Sequence, residues 1–209
     1  MKIKDGLELR GRPIEIPNCG REDLVKFFVE QGYKVGAEIG VDRGEYTKVL
    51  CEAGLKVYGV DAWVNYEGYK RKGKYKSHIE QAKKNLKGYD CELIHKYSVD
   101  AAKDFKDNSL DFVYIDSNHT LPYIVQDIFL WERKVRRGGI ISGHDYAVIF
   151  GGPEITDRPK WYGGCHVKVG VDACADIMHI QKYYVLGERF VEEPNWRDTW
   201  RSWFWIKKI

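Results

Sequence analysis

The chain has 209 residues, 44% of them hydrophobic, and carries 34 Lys and Arg against 31 Asp and Glu, for a formal net charge of +3. That is enough apolar sequence for one full core, and the length suits a single α/β domain, residues 1–209, better than two. So balanced a charge argues against a nucleic-acid partner. No apolar run is long enough to span a bilayer, and the start Met1-Lys-Ile-Lys-Asp-Gly lacks the apolar segment of a signal peptide, so a soluble, cytoplasmic protein is expected. Five scattered cysteines with no CxxC pair suggest neither a disulfide framework nor a cysteine zinc site.

Residues 1–32 read as an N-terminal extension that ends in a helix: Arg21 to Gln31 places Leu24, Phe27 and Phe28 on one face, and Gly32 follows as a stop. Val35-Gly-Ala-Glu38-Ile-Gly40 is the first strand. After Gly44, Tyr46, Val49, Leu50 and Ala53 fall at helical spacing, and the second strand runs from Lys56 to Asp61. A Tyr- and Lys-rich loop then leads into a helix carrying Ile79, Ala82 and Leu86, followed by a third strand, Cys91 to Tyr97. The turn Asp107-Asn-Ser launches a fourth strand ending at Asp116. Pro122 sits near the start of a helix whose inner face would be Ile124, Ile128, Trp131 and Val135, and Gly138-Gly139 opens the fifth strand, which reaches His144-Asp145. The aperiodic, Gly- and Pro-rich stretch 150–166 reads as a lid loop. A helix with Val171, Cys174, Ile177 and Met178 and two strand-like runs, Lys182 to Leu186 and Ser202 to Ile206, complete the pattern. The alternation predicts a doubly wound, Rossmann-like α/β sheet, mostly parallel with an antiparallel edge strand.

Four of these strands stop on or beside a carboxylate: Glu38, Asp61, Asp116 and Asp145. Open α/β sheets bind ligands outside the carboxyl ends of their strands, so the four acids should line one cleft. The first strand-to-helix loop, Glu38-Ile-Gly40-Val-Asp42-Arg-Gly44, raises the question of a dinucleotide. A pyrophosphate wants G-x-G-x-x-G and an electropositive helix start, whereas this loop spaces its glycines as G-x-x-x-G and surrounds them with Glu38, Asp42 and Glu45. S-adenosylmethionine has no phosphate and presents an ammonium and a sulfonium, which an acidic loop attracts. Asp61 is placed for ribose hydroxyls in either case. Asp42 could equally serve the dipole of the helix behind it, and Trp63 could be a packing residue.

Taken together, Glu38-x-Gly40-x-x-x-Gly44, Val60-Asp61-Ala62-Trp63, Asp111-Phe-Val-Tyr-Ile-Asp116-Ser-Asn-His119 and Gly138-Gly-Ile-Ile-Ser-Gly-His144-Asp145-Tyr146 resemble class I S-adenosylmethionine-dependent methyltransferases. The likeness is greatest to the small O-methyltransferase-like branch that includes macrolide sugar O-methyltransferases, and it covers about residues 33–180. It implies S-adenosylmethionine as cofactor, with Glu38 and Gly40 at the methionine part, Asp61 at the ribose, Trp63 near the adenosine edge and Tyr97 and Ser98 at the adenine. The whole implied cofactor set adds Asp42, Gly44, Ala62 and Asp116. It further implies a divalent metal, Mg²⁺ or Mn²⁺, held by Asp116, His144 and Asp145, with His119 as general base beside Asp116.

This chain departs from those relatives in carrying His144 where they have an oxygen ligand, and an imidazole moves preference toward Mn²⁺, Fe²⁺ or Zn²⁺. Neighbours in a strand point to opposite faces, so His144 and Asp145 can share one ion only if the chain leaves the strand at Gly143. The plain alternative for His119 is a turn or capping contact before the helix at Pro122. The expected acceptor is a hydroxyl of a small molecule or sugar, selected by Tyr66 to Tyr75 and by Arg158, Trp161 and Tyr162 of the lid; those lid residues would serve equally at a homo-oligomer interface. The competing reading is a nucleic-acid-associated methyltransferase or binding protein using Lys70 to Lys87 with Tyr66, Tyr69 and Tyr75 interleaved.

Overall fold

The apolar runs fold as strands whose two faces are both covered. In Leu110–Ile115, Phe112 and Tyr114 pack on one side of the sheet and Val113 and Ile115 on the other, and all four are buried. Such a strand reads as an unbroken apolar run and not as an alternation. The computed structural model describes residues 2–64, 75–148, 164–187 and 201–208. Tyr66, Tyr69, most of the basic run at 70–76, and Arg158, Trp161 and Tyr162 lie outside the described residues.

In chain order the elements are α1 (Ile3–Gly6), β1 (Ile14–Ile16), α2 (Arg21–Glu30), β2 (Val35–Ile39), α3 (Glu45–Glu52), β3 (Lys56–Asp61), α4 (Tyr75–Asn85), β4 (Cys91–His95), α5 (Ser98–Ala101) with a 3₁₀ turn at Ala102–Asp104, β5 (Leu110–Ile115), α6 (Leu121–Glu132), β6 (Val135–Gly143), α7 (Val167–Ile177), β7 (Tyr184–Leu186) and β8 (Trp203–Ile206). Among the described residues the strands form one eight-stranded sheet in the order β1-β7-β8-β6-β5-β2-β3-β4. Every pairing is parallel except the two made by β8, which runs antiparallel to β6 and β7. The doubly wound, mostly parallel sheet with an antiparallel strand is the architecture the alternation predicts, and that strand, β8, lies not at the edge but between β6 and β7. Strand order reverses between β2 and β5, so the loops leaving these two strands diverge and open a crevice at their carboxyl ends.

Helices cover both faces. Leu24, Phe27 and Phe28 of α2 and Tyr46 and Leu50 of α3 pack on Val57, Phe112, Tyr114 and Ile140. Ile124, Ile128 and Trp131 of α6 and Val171 and Cys174 of α7 pack on Val113, Ile115, Ile141, Trp203 and Trp205. Among the described residues, no helix is long and apolar enough to cross a membrane.

Four local expectations change. Residues Ile14–Ile16 form a strand, β1, that pairs with β7 over three residues, too short to show a period in sequence. Val135 begins β6 instead of closing the face of α6; the strand pairs at Leu110–Val135, shifts register around Gly138, and resumes at Phe112–Ile140. The buried face of α3 takes in Thr47 and Cys51 beside Tyr46 and Leu50, and Val49 and Ala53 pack half-buried against the same core. Ile177 stands 66% exposed at the end of α7.

Candidate active site

The loop after β2 is shaped by close backbone approach. Gly40 has φ +99°, and a Cβ there would lie 2.1 Å from the carbonyl oxygen of Asp116. Only glycine lets the two crevice loops touch. Beyond it, Asp42 and Trp63 both adopt left-handed backbone, at φ +50° and +42°. Asp61 holds the pair: one carboxylate oxygen accepts the Asp42 N–H at 2.9 Å and the other the Trp63 N–H at 2.7 Å. The Trp63 ring then donates to the Asp42 carbonyl at 2.8 Å and stands edge-on to His95. Each Asp61 oxygen keeps a lone pair for a ligand hydroxyl. Burial pushes the Asp61 carboxyl up, and the backbone amides of Trp63, Asp42 and Val41 pull against that.

A cleft of about 460 Å³ opens here, a size suited to a small ligand. Its wall includes Glu38, Gly40, Asp42, Asp61, Ala62, Trp63, Ser98, Asp116, His119 and His144. The carboxylates Glu38, Asp42, Glu45, Asp61 and Asp116 outnumber the basic Arg21, Arg43 and Lys96 on that wall. The basic groups are engaged within the protein: Arg43 faces Asp42 and Glu45, Lys96 pairs with Asp104, and the Arg21 guanidinium lies over the Tyr46 ring. A cationic ligand without phosphate suits this field better than a pyrophosphate. Glu38 is buried at the end of β2 and accepts the Thr47 hydroxyl; burial holds its carboxyl well above the ordinary range. The Asp42 carboxylate turns to His78 of α4 and leaves the α3 terminus without a side-chain cap.

Two members of the cofactor set implied by sequence sit elsewhere. Gly44 caps α3 at φ +77°, where a Cβ would meet Ala82 of α4 and Leu86 just after it, so it serves helix packing and is not on the cleft wall. Tyr97 is 50% exposed and off the wall, because its neighbour Ser98 takes the inward position at the start of α5.

The second constellation closes the other end of the cleft. β6 ends at Gly143 and Asp145 adopts φ +55°, so the chain leaves the strand where a shared site for His144 and Asp145 requires it to. One ligand atom each from Asp116, His144 and Asp145 lies within 4.8 Å of the others. His119 completes a ring: its Nε2 is 3.2 Å from Asp116 Oδ1 and 3.1 Å from Asp145 Oδ2, while His144 Nδ1 is 3.1 Å from Asp145 Oδ1 and 3.9 Å from Asp116 Oδ2. Burial works to raise the Asp116 carboxyl, but the hydrogen bond from His119 and the field of both imidazoles outweigh it and carry it below its ordinary value. His144 moves the other way: burial lowers it, and Asp145 and Asp116 more than compensate.

The turn before α6 does not need the His119 side chain, since Asn118 Oδ1 accepts both the Thr120 N–H and its hydroxyl. Behind the ring, the Trp203 indole donates to the His144 carbonyl at 3.1 Å and Tyr146 donates to Asp172. The donor set of two carboxylates and an imidazole, with His144 Nδ1 facing both carboxylates, fits a borderline first-row divalent ion better than an all-oxygen cation.

Sequence reasoning missed Arg21, Thr47 and Ser117. Arg21 belongs to a helix assigned to the N-terminal extension, and only the sheet brings it to the cleft. Thr47 carries no motif, a polar residue on an inward helical position being the available signal, and Ser117 lies inside the Asp116–His119 motif with no role assigned to it.

Residues 37–146 match a family described as a methyltransferase domain. Among solved structures, the cofactor-bound Rv0187 protein from MTB aligns at 17% identity and a TM-score of 0.59, over 98% of this chain and 86% of that one. The Bacillus cereus O-methyltransferase in complex with SAH aligns at 16% identity and a TM-score of 0.56, over 89% and 80%. The spermidine synthase of Thermotoga maritima aligns at 14% identity and a TM-score of 0.55, over 90% and 60%. No curated protein matches the chain in sequence. These identities speak for a common fold, one that a synthase of a different name shares, so the acceptor must be argued from the site. The family match takes in more than half the chain, including the glycine loop and the strand ends that build the cleft: the protein belongs to the methyltransferase-domain family and has the class I, S-adenosylmethionine-dependent methyltransferase fold.

Proposed function

We propose that the protein transfers the methyl group of S-adenosylmethionine to a hydroxyl of a small molecule or sugar, with His119 as general base and a divalent metal at Asp116, His144 and Asp145. The observation that carries this reading is the closed ring of two carboxylates and two imidazoles at the ends of β5 and β6, beside the acid-lined cleft.

S-adenosylmethionine supplies an electrophilic methyl on sulfur, and a metal in this set would orient the acceptor oxygen and lower its pKa. Glu38 and Asp61 line the half of the cleft suited to the cationic and ribose parts of the donor. His119 stands at the other half, with a ring nitrogen within hydrogen-bond distance of two carboxylates that would pair with the imidazolium formed when it takes the acceptor's proton. An alcohol is a weak nucleophile at neutral pH, so proton removal and placement opposite the leaving sulfur are what these side chains contribute.

Calorimetry with S-adenosylhomocysteine, combined with Asp116→Ala and Asp145→Ala, tests the assignment. Both variants should lose turnover by about 100-fold or more while binding S-adenosylhomocysteine within a few-fold of the parent. Collapse of that affinity in the variants would place the residues on the donor side. NADH binding in place of S-adenosylhomocysteine would overturn the reading altogether. Chelation should depress turnover, with Mn²⁺ restoring it better than Mg²⁺.

A further inference from the structure

Asp127 takes no part in the chemistry above, yet it is a carboxylate only 4% exposed in the middle of α6. Its two oxygens accept from two serines on separate loops: Ser98 Oγ donates to Oδ1 at 2.5 Å and Ser117 Oγ donates to Oδ2. Ser98 in turn accepts the Trp131 indole N–H at 2.8 Å. Both serines belong to the cleft wall, one after β4 and the other directly after Asp116.

An ionised carboxylate can only accept, and a hydroxyl has a single proton. Asp127 therefore consumes both serine protons and leaves lone pairs as the only hydrogen-bonding capacity of the two hydroxyls. Keeping a charge there is costly: burial pushes the Asp127 carboxyl up to about 6 against the pull of the two hydroxyls, and among the described residues no cation pairs with it. An apolar side chain on this face of α6 would avoid that cost.

We propose that Asp127 is a positioning residue for the purine of the donor: by fixing Ser98 and Ser117 as acceptors on the cleft wall it selects a purine bearing an exocyclic amine over one bearing a carbonyl in its place. This rests on the S-adenosylmethionine reading above. A ring amine meets acceptors and pairs; a ring carbonyl meets acceptors and leaves buried oxygens unsatisfied.

The test compares binding of S-adenosylhomocysteine and its deaminated inosine counterpart by calorimetry. Wild type should favour the adenine compound by at least about 10-fold. In Asp127→Asn the amide NH₂ donates to one serine, frees that serine's proton, and should cut the preference several-fold, mainly through tighter binding of the inosine compound. Ser98→Ala and Ser117→Ala should also narrow the ratio, which keeps the test open if the Asn variant folds poorly. A purely structural Asp127 would weaken both ligands alike; an unchanged ratio in all three variants overturns the inference. Failure of wild type to bind either compound overturns the S-adenosylmethionine reading instead.

Discussion

At Gly40, one missing Cβ decides whether the two crevice loops can meet. Gly40→Ala combines a left-handed backbone with an atom 2.1 Å from the Asp116 carbonyl oxygen, and no flexible side chain is available to yield. The strain and the forced backbone shift together should cost about 2–5 kcal/mol, read as a lower urea midpoint. Because the shift moves Asp116, turnover should fall as well; a variant with the parental midpoint would show that the loops are not in contact. Asp61 illustrates a subtler residue-level point. Proposed as the ribose ligand, it ties Asp42 and Trp63 into their left-handed turns, so its removal should disturb the loop whichever ligand the cleft takes.

Among the elements, β8 has the widest reach. It is the one strand running against the rest among those described, and it inserts between β6 and β7 with Trp203, Phe204 and Trp205 all fully buried. Trp203 packs under Gly143, where a Cβ would come 2.6 Å from the indole, and its N–H holds the His144 carbonyl. Trp203→Ala should therefore destabilise by about 3–5 kcal/mol and reduce turnover more than S-adenosylhomocysteine affinity, since His144 loses its support while the glycine loop does not. Urea unfolding and calorimetry on the same variant check both halves. At this scale the sequence was readable where apolar periodicity was strong, as in α2, β3 and β5. It misled at Val135, because an apolar residue four after the last residue of a helix face looks helical until the register with Leu110 is seen.

For the whole molecule, the buried carboxylates set a pH dependence of folding. Asp127 rises from an ordinary 3.8 to about 6, so the folded state binds its proton more tightly than the unfolded chain. Its contribution is greatest at low pH and is lost as pH rises through that window, leaving a penalty on the order of 3 kcal/mol at neutral pH. Glu38, also raised by burial, acts with the same sign. Asp116 acts oppositely: held low, it contributes stability that disappears as the medium becomes strongly acidic. Asp127→Asn should thus unfold later than the parent at about pH 8, with an advantage that shrinks toward about pH 4. Denaturant curves at both values decide it, and an advantage independent of pH would rule out titration of Asp127 as the cause.

The amino-acid sequence by itself determined the alternation of strands and helices, the acids at four strand ends, and a cleft favouring a cation over a phosphate. These depend on local period, on apolar runs and on charge, all of which are written in consecutive residues. Only the tertiary structure decided which side chains meet. The ring of Asp116, His119, His144 and Asp145 required the chain to leave β6 at Gly143 and Asp145 to turn left-handed. The Ser98–Asp127–Ser117 bridge joins three segments that sheet order alone brings together, Gly44 is held by close packing against Leu86 and Ala82, and Tyr97 is half exposed beside the inward Ser98. Side-chain direction in a loop follows from backbone angles and distant contacts, and neither is carried by the residue's own place in the sequence.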